Sequence, residues 1–254
     1  MKSKIFTLSV FLLALTFYSC NKEENKEENK NIKINTSSPI FLKRGQTTQI
    51  NAVSIKPLTY NAENEFHATV SNTGLITAYY VGKTKINLTN GSDKKSIQLI
   101  VEPEYNLYQT PNIEWGTSRS QIKNQYGTPD RETADVIIYE NYSSAAPFLL
   151  FTFDKNDQVE SYALLVKTMY VSTLGKFLAE RYMYLGASGE YLVYLNGLTI
   201  DQATIMLGVL VYNLNYVMVV YTNPHNISKQ AKKVVATSMD HYRNLLEIGS
   251  TSQK

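Results

Sequence analysis

The stretch His67-Ala68-Thr69-Val70-Ser71-Asn72-Thr73-Gly74-Leu75-Ile76-Thr77-Ala78 decides how the first half of this chain folds. Apolar and polar residues alternate on either side of Ser71-Asn72-Thr73-Gly74. That pattern predicts two strands, 68–70 and 75–78, joined by a hairpin turn in which the glycine takes the left-handed position. Working outward, the same period of two recurs at 32–35, 40–42, 47–50, 84–88 and 95–101, with Gly45, Gly82 and Asn90-Gly91 at the bends. Short alternating strands at this spacing predict an all-β sandwich over residues 32–102.

Extended through Gly82, Thr84 and Ile86, the 67–78 stretch resembles the core of the bacterial Ig-like group 2 family, with Phe66 near the place of that family's usual tryptophan. The resemblance implies a spacer or adhesion module of a surface protein, with no catalysis of its own. Fold-level likeness by itself assigns no ligand.

Residues 103–112 read as a linker, and the pattern then changes to helices alternating with strands over 113–248, ending in a short tail at 249–254. Ser118 and Gln121 form a capping-box pair, and Gly127 with Pro129 closes the helix they open. Strands are expected at 135–140, 148–153, 159–166, 191–195 and 215–221. Val171, Leu174, Phe177, Leu178 and Tyr182 mark one face of a second helix. Thr199 and Gln202 look like a second capping box, followed by Ala203, Met206, Leu207 and Leu210 at helical spacing. Residues 228–246 carry a terminal amphipathic stripe of Ala231, Val234, Val235, Met239, Tyr242, Leu245 and Leu246. The fold class expected is multi-domain, an Ig-like sandwich followed by an α+β domain, an antiparallel sheet with helices on one face.

Gly116, Ser118, Gln121 and Gly127 share their spacing with Gly197, Thr199, Gln202 and Gly208, which suggests two related helix–strand units. The needs of helix ends produce the same spacing without any repeat. The segment 115–129 also resembles the glycine, helix, glycine-x-proline element of small periplasmic assembly lipoproteins of the barrel-assembly type.

The N-terminus speaks to location. Lys2 and Lys4 precede an apolar run too short to span a bilayer, and the chain's only cysteine, Cys20, stands between that run and Asn21-Lys22-Glu23-Glu24-Asn25-Lys26-Glu27-Glu28. Residues 1–19 resemble a bacterial lipoprotein signal, which implies lipidation at Cys20 and attachment to the outer membrane. Residues 20–31, without an apolar side chain after the cysteine, form a solvated tether. Lys22-Glu23-Glu24 resembles the export signal of surface-displayed lipoproteins, although a plain spacer has the same composition.

Little in the chain points to catalysis. His67, His225 and His241 have no ligand spacing and no cysteine partner, so no metal is expected. Asp154-Lys155-Asn156-Asp157 suits a hairpin turn better than a calcium loop. Gly186-Ala187-Ser188-Gly189 places its second glycine too early for a nucleophile elbow, and Gly82-Lys83-Thr84 lacks the upstream glycine of a phosphate loop. Glu102 with Glu104, or Glu132 with Asp135, read as solvated carboxylates. No cofactor is expected. With 25 basic against 22 acidic residues, nothing favours nucleic acid. Lys229, Lys232 and Lys233 read as a solvated helix face.

The chain carries nineteen tyrosines against one tryptophan. Tyrosine serves exposed binding faces as well as half-buried sheets, which makes Tyr139, Tyr142, Tyr191, Tyr194, Tyr216 and Tyr221 the candidate binding surface. The expected function is a lipid-anchored, surface-displayed, non-catalytic module that binds a protein or glycan. The alternative is a periplasm-facing accessory subunit of an outer-membrane assembly or uptake complex.

Overall fold

The computed structural model describes residues 31–226. Its first part contains β1 (Lys33–Ile34), β2 (Ile40–Lys43), β3 (Thr47–Gln49), β4 (Ala52–Val53), β5 (Thr59–Ala62), β6 (Ala68–Val70), β7 (Leu75–Ala78), β8 (Gly82–Thr89) and β9 (Lys94–Glu102). They form a four-stranded sheet in the order β2-β9-β8-β5, a three-stranded sheet β3-β7-β6, and the pair β1-β4. The β6–β7 hairpin turns at Gly74, where φ is 85° and the glycine N–H donates to the Ser71 carbonyl at 3.0 Å. The alternating apolar residues then meet between the sheets, with Ile76, Ala78, Ile86, Leu88, Ile97 and Leu99 fully buried.

The chain enters and leaves this sandwich at opposite poles. At entry, the Ile32 N–H donates to the Asp93 carboxylate at 2.8 Å, in the turn between β8 and β9. From that turn β9 runs its length, about 30 Å at strand rise, to Glu102 and the segment leading into the second part.

The second part contains α1 (Arg119–Tyr126), β10 (Arg131–Glu132), β11 (Val136–Tyr139), β12 (Phe148–Phe153), β13 (Val159–Lys167), α2 (Val171–Ala179), β14 (Met183–Ser188), β15 (Tyr191–Leu195), β16 (Met206–Val211) and β17 (Tyr216–Thr222). All eight strands join one antiparallel sheet in the order β10-β11-β12-β13-β17-β16-β15-β14. Runs such as Val-Ile-Ile-Tyr and Phe-Leu-Leu-Phe-Thr-Phe are apolar without alternation because these strands are covered on both faces. One face packs Phe151, Tyr162, Leu164, Val219 and Tyr221 against Ile122 of α1 and Leu174, Phe177 and Leu178 of α2.

This part is more β than the sequence predicts. The capping box at Ser118 forms as expected, its N–H taken by Gln121 Oε1 at 2.9 Å. The helix expected after Thr199 does not form: residues 199–202 are a turn and Met206–Val211 is strand β16, so the suggested repeat of helix–strand units fails. In a strand buried on both sides every position is apolar, and helical spacing then appears by default. Strands β4, β5, β10 and β14 were not anticipated. The expected linker carries no helix or strand, yet it is packed: Tyr108 is 8% exposed within the core of the second part. The expected helix 228–246 and the whole 1–30 segment, Cys20 included, lie outside the described residues. No helix among the described residues is long and apolar enough to cross a membrane.

Candidate functional site

The junction between the two parts is built on Glu180, the residue just past α2. Its carboxylate accepts the backbone N–H groups of Glu104 at 2.9 Å and Tyr105 at 3.1 Å, and pairs with the neighbouring Arg181 guanidinium. Its main-chain carbonyl accepts the Val81 N–H at 2.8 Å, from the loop that opens β8. Glu180 is 4% exposed. A buried carboxylate with three donors is satisfied, and it ties the exit segment and the sandwich to the second part at one residue. Arg181 lies over the Phe177 ring at 3.9 Å, which holds the other half of the ion pair.

A cleft of about 450 Å³ lies between the two parts, lined by Ala62, Glu63, Asn64, Glu65 and Phe66 on one wall and Asn196, Gly197, Leu198 and Gln202 on the other. Both walls are fixed by their own hydrogen bonds. On the sandwich wall, Asn64 Oδ1 accepts the Phe66 N–H at 3.0 Å, the Asn64 N–H donates to Thr84 Oγ1 at 2.9 Å, and Phe66 stacks on Tyr80 at 4.3 Å. On the opposite wall, Asn196 Oδ1 accepts the N–H groups of Thr204 and Ile205 at 2.9 and 2.8 Å, and Asn196 Nδ2 donates to Thr204 Oγ1 at 2.9 Å. Gly197 passes so close beneath Ala203 that a Cβ there would lie 2.8 Å from the Ala203 nitrogen.

What faces the cleft is polar. The Glu65 and Gln202 side chains are exposed and make no hydrogen bond or ion pair, although the Gln202 backbone N–H donates to Thr199 Oγ1 at 3.3 Å, and Leu198 offers a 41%-exposed apolar face. Carboxylates and carboxamides around one apolar contact can donate to and accept from several hydroxyls at once. The volume falls within the roughly 300–1,000 Å³ of small-molecule sites, which favour domain interfaces. A second cleft of about 540 Å³ at the junction is lined by Arg44, Tyr79, Glu104, Tyr105, Lys176 and Glu180. There Glu104 pairs with Lys43 at 3.3 Å, and Lys176 of α2 lies 5.3 Å from the ring centre of Tyr105 in the exit segment.

The six tyrosines proposed from sequence do not gather. Tyr139 and Tyr221 are 6% and 0% exposed in the core on the helix-bearing face, with Tyr142 and Tyr194 packed against it; Tyr191 and Tyr216 pack against the opposite face. As a surface patch the set is corrected, because β11 and β17 are interior strands covered on both sides. Tyrosine rings instead pack around one buried hydroxyl pair, with Tyr142 bonding a carbonyl nearer the surface. Tyr108 and Tyr221 share a hydrogen bond at 2.9 Å, Tyr162 stacks on Tyr221 at 4.7 Å, and Tyr142 donates to the Gln109 carbonyl at 2.6 Å. Burial pushes the Tyr162 and Tyr221 hydroxyls well above the ordinary phenol range and Tyr126 up to about 12.

His67 sits beneath Gly82 with Nδ1 3.1 Å from the Tyr80 carbonyl, and burial lowers its pKa. Asp154 caps its own turn, accepting the N–H groups of Asn156 and Gln158 at 2.9 Å each, as a hairpin needs. Among the described residues no three histidine, cysteine or acidic side chains are placed to hold a metal ion. Glu180 and Asn196 were not found from sequence. The one available signal for Glu180 was an acid set inside the apolar run Phe177-Leu178-Ala179-Glu180-Arg181-Tyr182-Met183.

An Ig-like sandwich followed by a largely β second part defines the class of protein. The family model for the bacterial Ig-like domain (group 2) matches residues 36–101, and that segment is such a domain. Comparison with curated proteins gives no match. Among solved structures, domains 5-6 of the S-layer protein SbsC are 11% identical, covering 76% of this chain and 84% of that one at a TM-score of 0.25. Domains 4-9 of the same surface layer protein are 12% identical, covering 78% and 27% at a TM-score of 0.25. Overlap this loose carries no further argument.

Proposed function

We propose that this chain is a non-catalytic binding protein of the cell envelope, held to the outer membrane by lipid on Cys20 and displayed at the surface, and that its ligand is a glycan taken in the cleft between residues 62–66 and 196–202. The observation that carries the reading is the pair of polar walls, each ordered by its own hydrogen bonds, that face one another across the cleft. Ordering both walls before binding lowers the entropic cost of capturing a flexible ligand. The tether at 20–31 joins the sandwich at the pole away from the second part, so a lipid at Cys20 leaves the cleft and second part pointing outward. Screening the full chain against a panel of oligosaccharides tests the ligand class, and protease added to intact cells tests display; an undigested protein there counts against the surface reading.

A second reading is favoured by one feature, an apolar tip at the far end of the second part. Leu214 is 94%, Met169 77% and Val211 69% exposed, and Thr168 joins the two loops by donating to the Leu214 and Asn215 carbonyls at 3.0 and 2.9 Å. Such a tip suits a resident protein partner of a periplasm-facing accessory subunit. Crosslinking in cells separates the two, since this reading requires one dominant partner.

A further inference from the structure

The second cleft, of about 540 Å³, carries positive charge that nothing described in it answers. Its two carboxylates are engaged, Glu104 with Lys43 at 3.3 Å and Glu180 with Arg181 and two main-chain N–H groups. Its two cations are not. Among the described residues the Arg44 guanidinium and the Lys176 ammonium make no hydrogen bond or ion pair, and each lies only over a ring, Arg44 5.3 Å from the Tyr80 centre and Lys176 5.3 Å from the Tyr105 centre. A cation over a ring face keeps its N–H donors for something else.

The main chain pins the positions that carry these groups. The Gly45 N–H donates to the Ala78 carbonyl at 2.9 Å, which sets the turn bearing Arg44 against the end of β7; the Tyr79 N–H donates to the His67 carbonyl at 2.8 Å, and the Tyr105 N–H to Glu180 at 3.1 Å. Tyr79 is 41% exposed and Tyr105 is partly so. A guanidinium takes a planar carboxylate through two parallel N–H bonds, and an ammonium takes a further anionic group as a point charge. Tyrosine rings offer an apolar face to a sugar ring and a hydroxyl to its polar edge. A neutral sugar would leave both cations unanswered, and a bare inorganic anion would leave the rings idle.

We propose that this cleft binds a short acidic saccharide, its carboxylates on Arg44 and Lys176 and its sugar rings against Tyr79 and Tyr105. The volume is in the range of small-molecule sites. The site shares no lining residue with the cleft at 62–66 and 196–202, and it stands whatever that cleft takes.

The test is calorimetry of the full chain with trigalacturonate, with its methyl ester and with inorganic phosphate. Trigalacturonate is expected to bind, less tightly as salt is added, and the uncharged ester is expected not to. Arg44→Gln and Lys176→Gln are each expected to weaken the trigalacturonate complex by about tenfold or more. Both side chains are exposed, so both variants are expected to melt with the parent. Lys94→Gln, which removes the same charge at the entry pole of the sandwich, is expected to bind as the parent does. A parent that does not bind trigalacturonate, equal affinity for the ester, or Arg44 and Lys176 variants that bind like the parent overturn the proposal. Phosphate binding as tightly as trigalacturonate also overturns it, by reducing the cleft to a simple anion site.

Discussion

Glu180 Oε2 accepts the backbone N–H of Glu104 at 2.9 Å, and through that bond the segment leaving the Ig-like domain is fastened to the end of α2. Glu180→Ala strands the Arg181 guanidinium and orphans two main-chain donors in a site 4% exposed. The expected cost is about 3–5 kcal/mol, read as a lowered urea midpoint. Glu180→Gln keeps an acceptor and is expected to lose clearly less. Equal stability of the alanine variant and the parent contradicts the tie.

Gly82 is held at φ 149°, with the His67 ring where a Cβ would stand. Gly82→Ala is expected to destabilise the Ig-like domain by at least about 2 kcal/mol. Adding His67→Ala is expected to restore only part of the loss, since backbone strain remains. A double-mutant cycle with no coupling refutes the contact.

Because burial lowers the His67 pKa, the unfolded chain binds a proton more readily than the folded one. His67 therefore leaves stability untouched above its unfolded value of about 6.5 and subtracts from it as pH falls below that value. Denaturation midpoints measured from pH 7.5 to 5 are expected to fall, with the slope reduced in His67→Gln. A slope identical in the two proteins excludes His67 as its source.

The tyrosines work in the opposite sense. Raised phenol pKa values at Tyr162, Tyr221 and Tyr126 stabilise the fold fully below the unfolded value of about 10, and this is lost as pH climbs through the folded values. Ultraviolet titration of the folded protein at pH 11 is expected to count fewer tyrosinates than the unfolded chain gives. Tyr221→Phe removes the partner of the buried Tyr108 hydroxyl, at about 1–3 kcal/mol. Full ionisation at pH 11 without unfolding contradicts the burial.

The Ig-like domain was legible because strands such as β2 and β7 have one wet and one dry side, so Leu75-Ile76-Thr77-Ala78 states its own orientation. In the second part that signal vanishes: Met206–Val211 has five buried residues out of six, and a period cannot be read where nothing alternates. Tyrosine was misread for a related reason. Residue type records that a hydroxyl wants a partner, and only the fold decides that Tyr221 finds it in Tyr108 rather than in a ligand. The cleft was hidden because its walls, 62–66 and 196–202, are far apart in sequence and individually plain loops.

The most direct test of the binding claim compares the full chain with a Glu65→Ala, Gln202→Ala variant on the same oligosaccharide panel. Neither side chain holds any part of the fold, so the variant is expected to melt with the parent. The account predicts that the parent retains at least one oligosaccharide class and that the variant's affinity for it falls tenfold or more. A parent that retains none, or a variant that binds equally well, contradicts it.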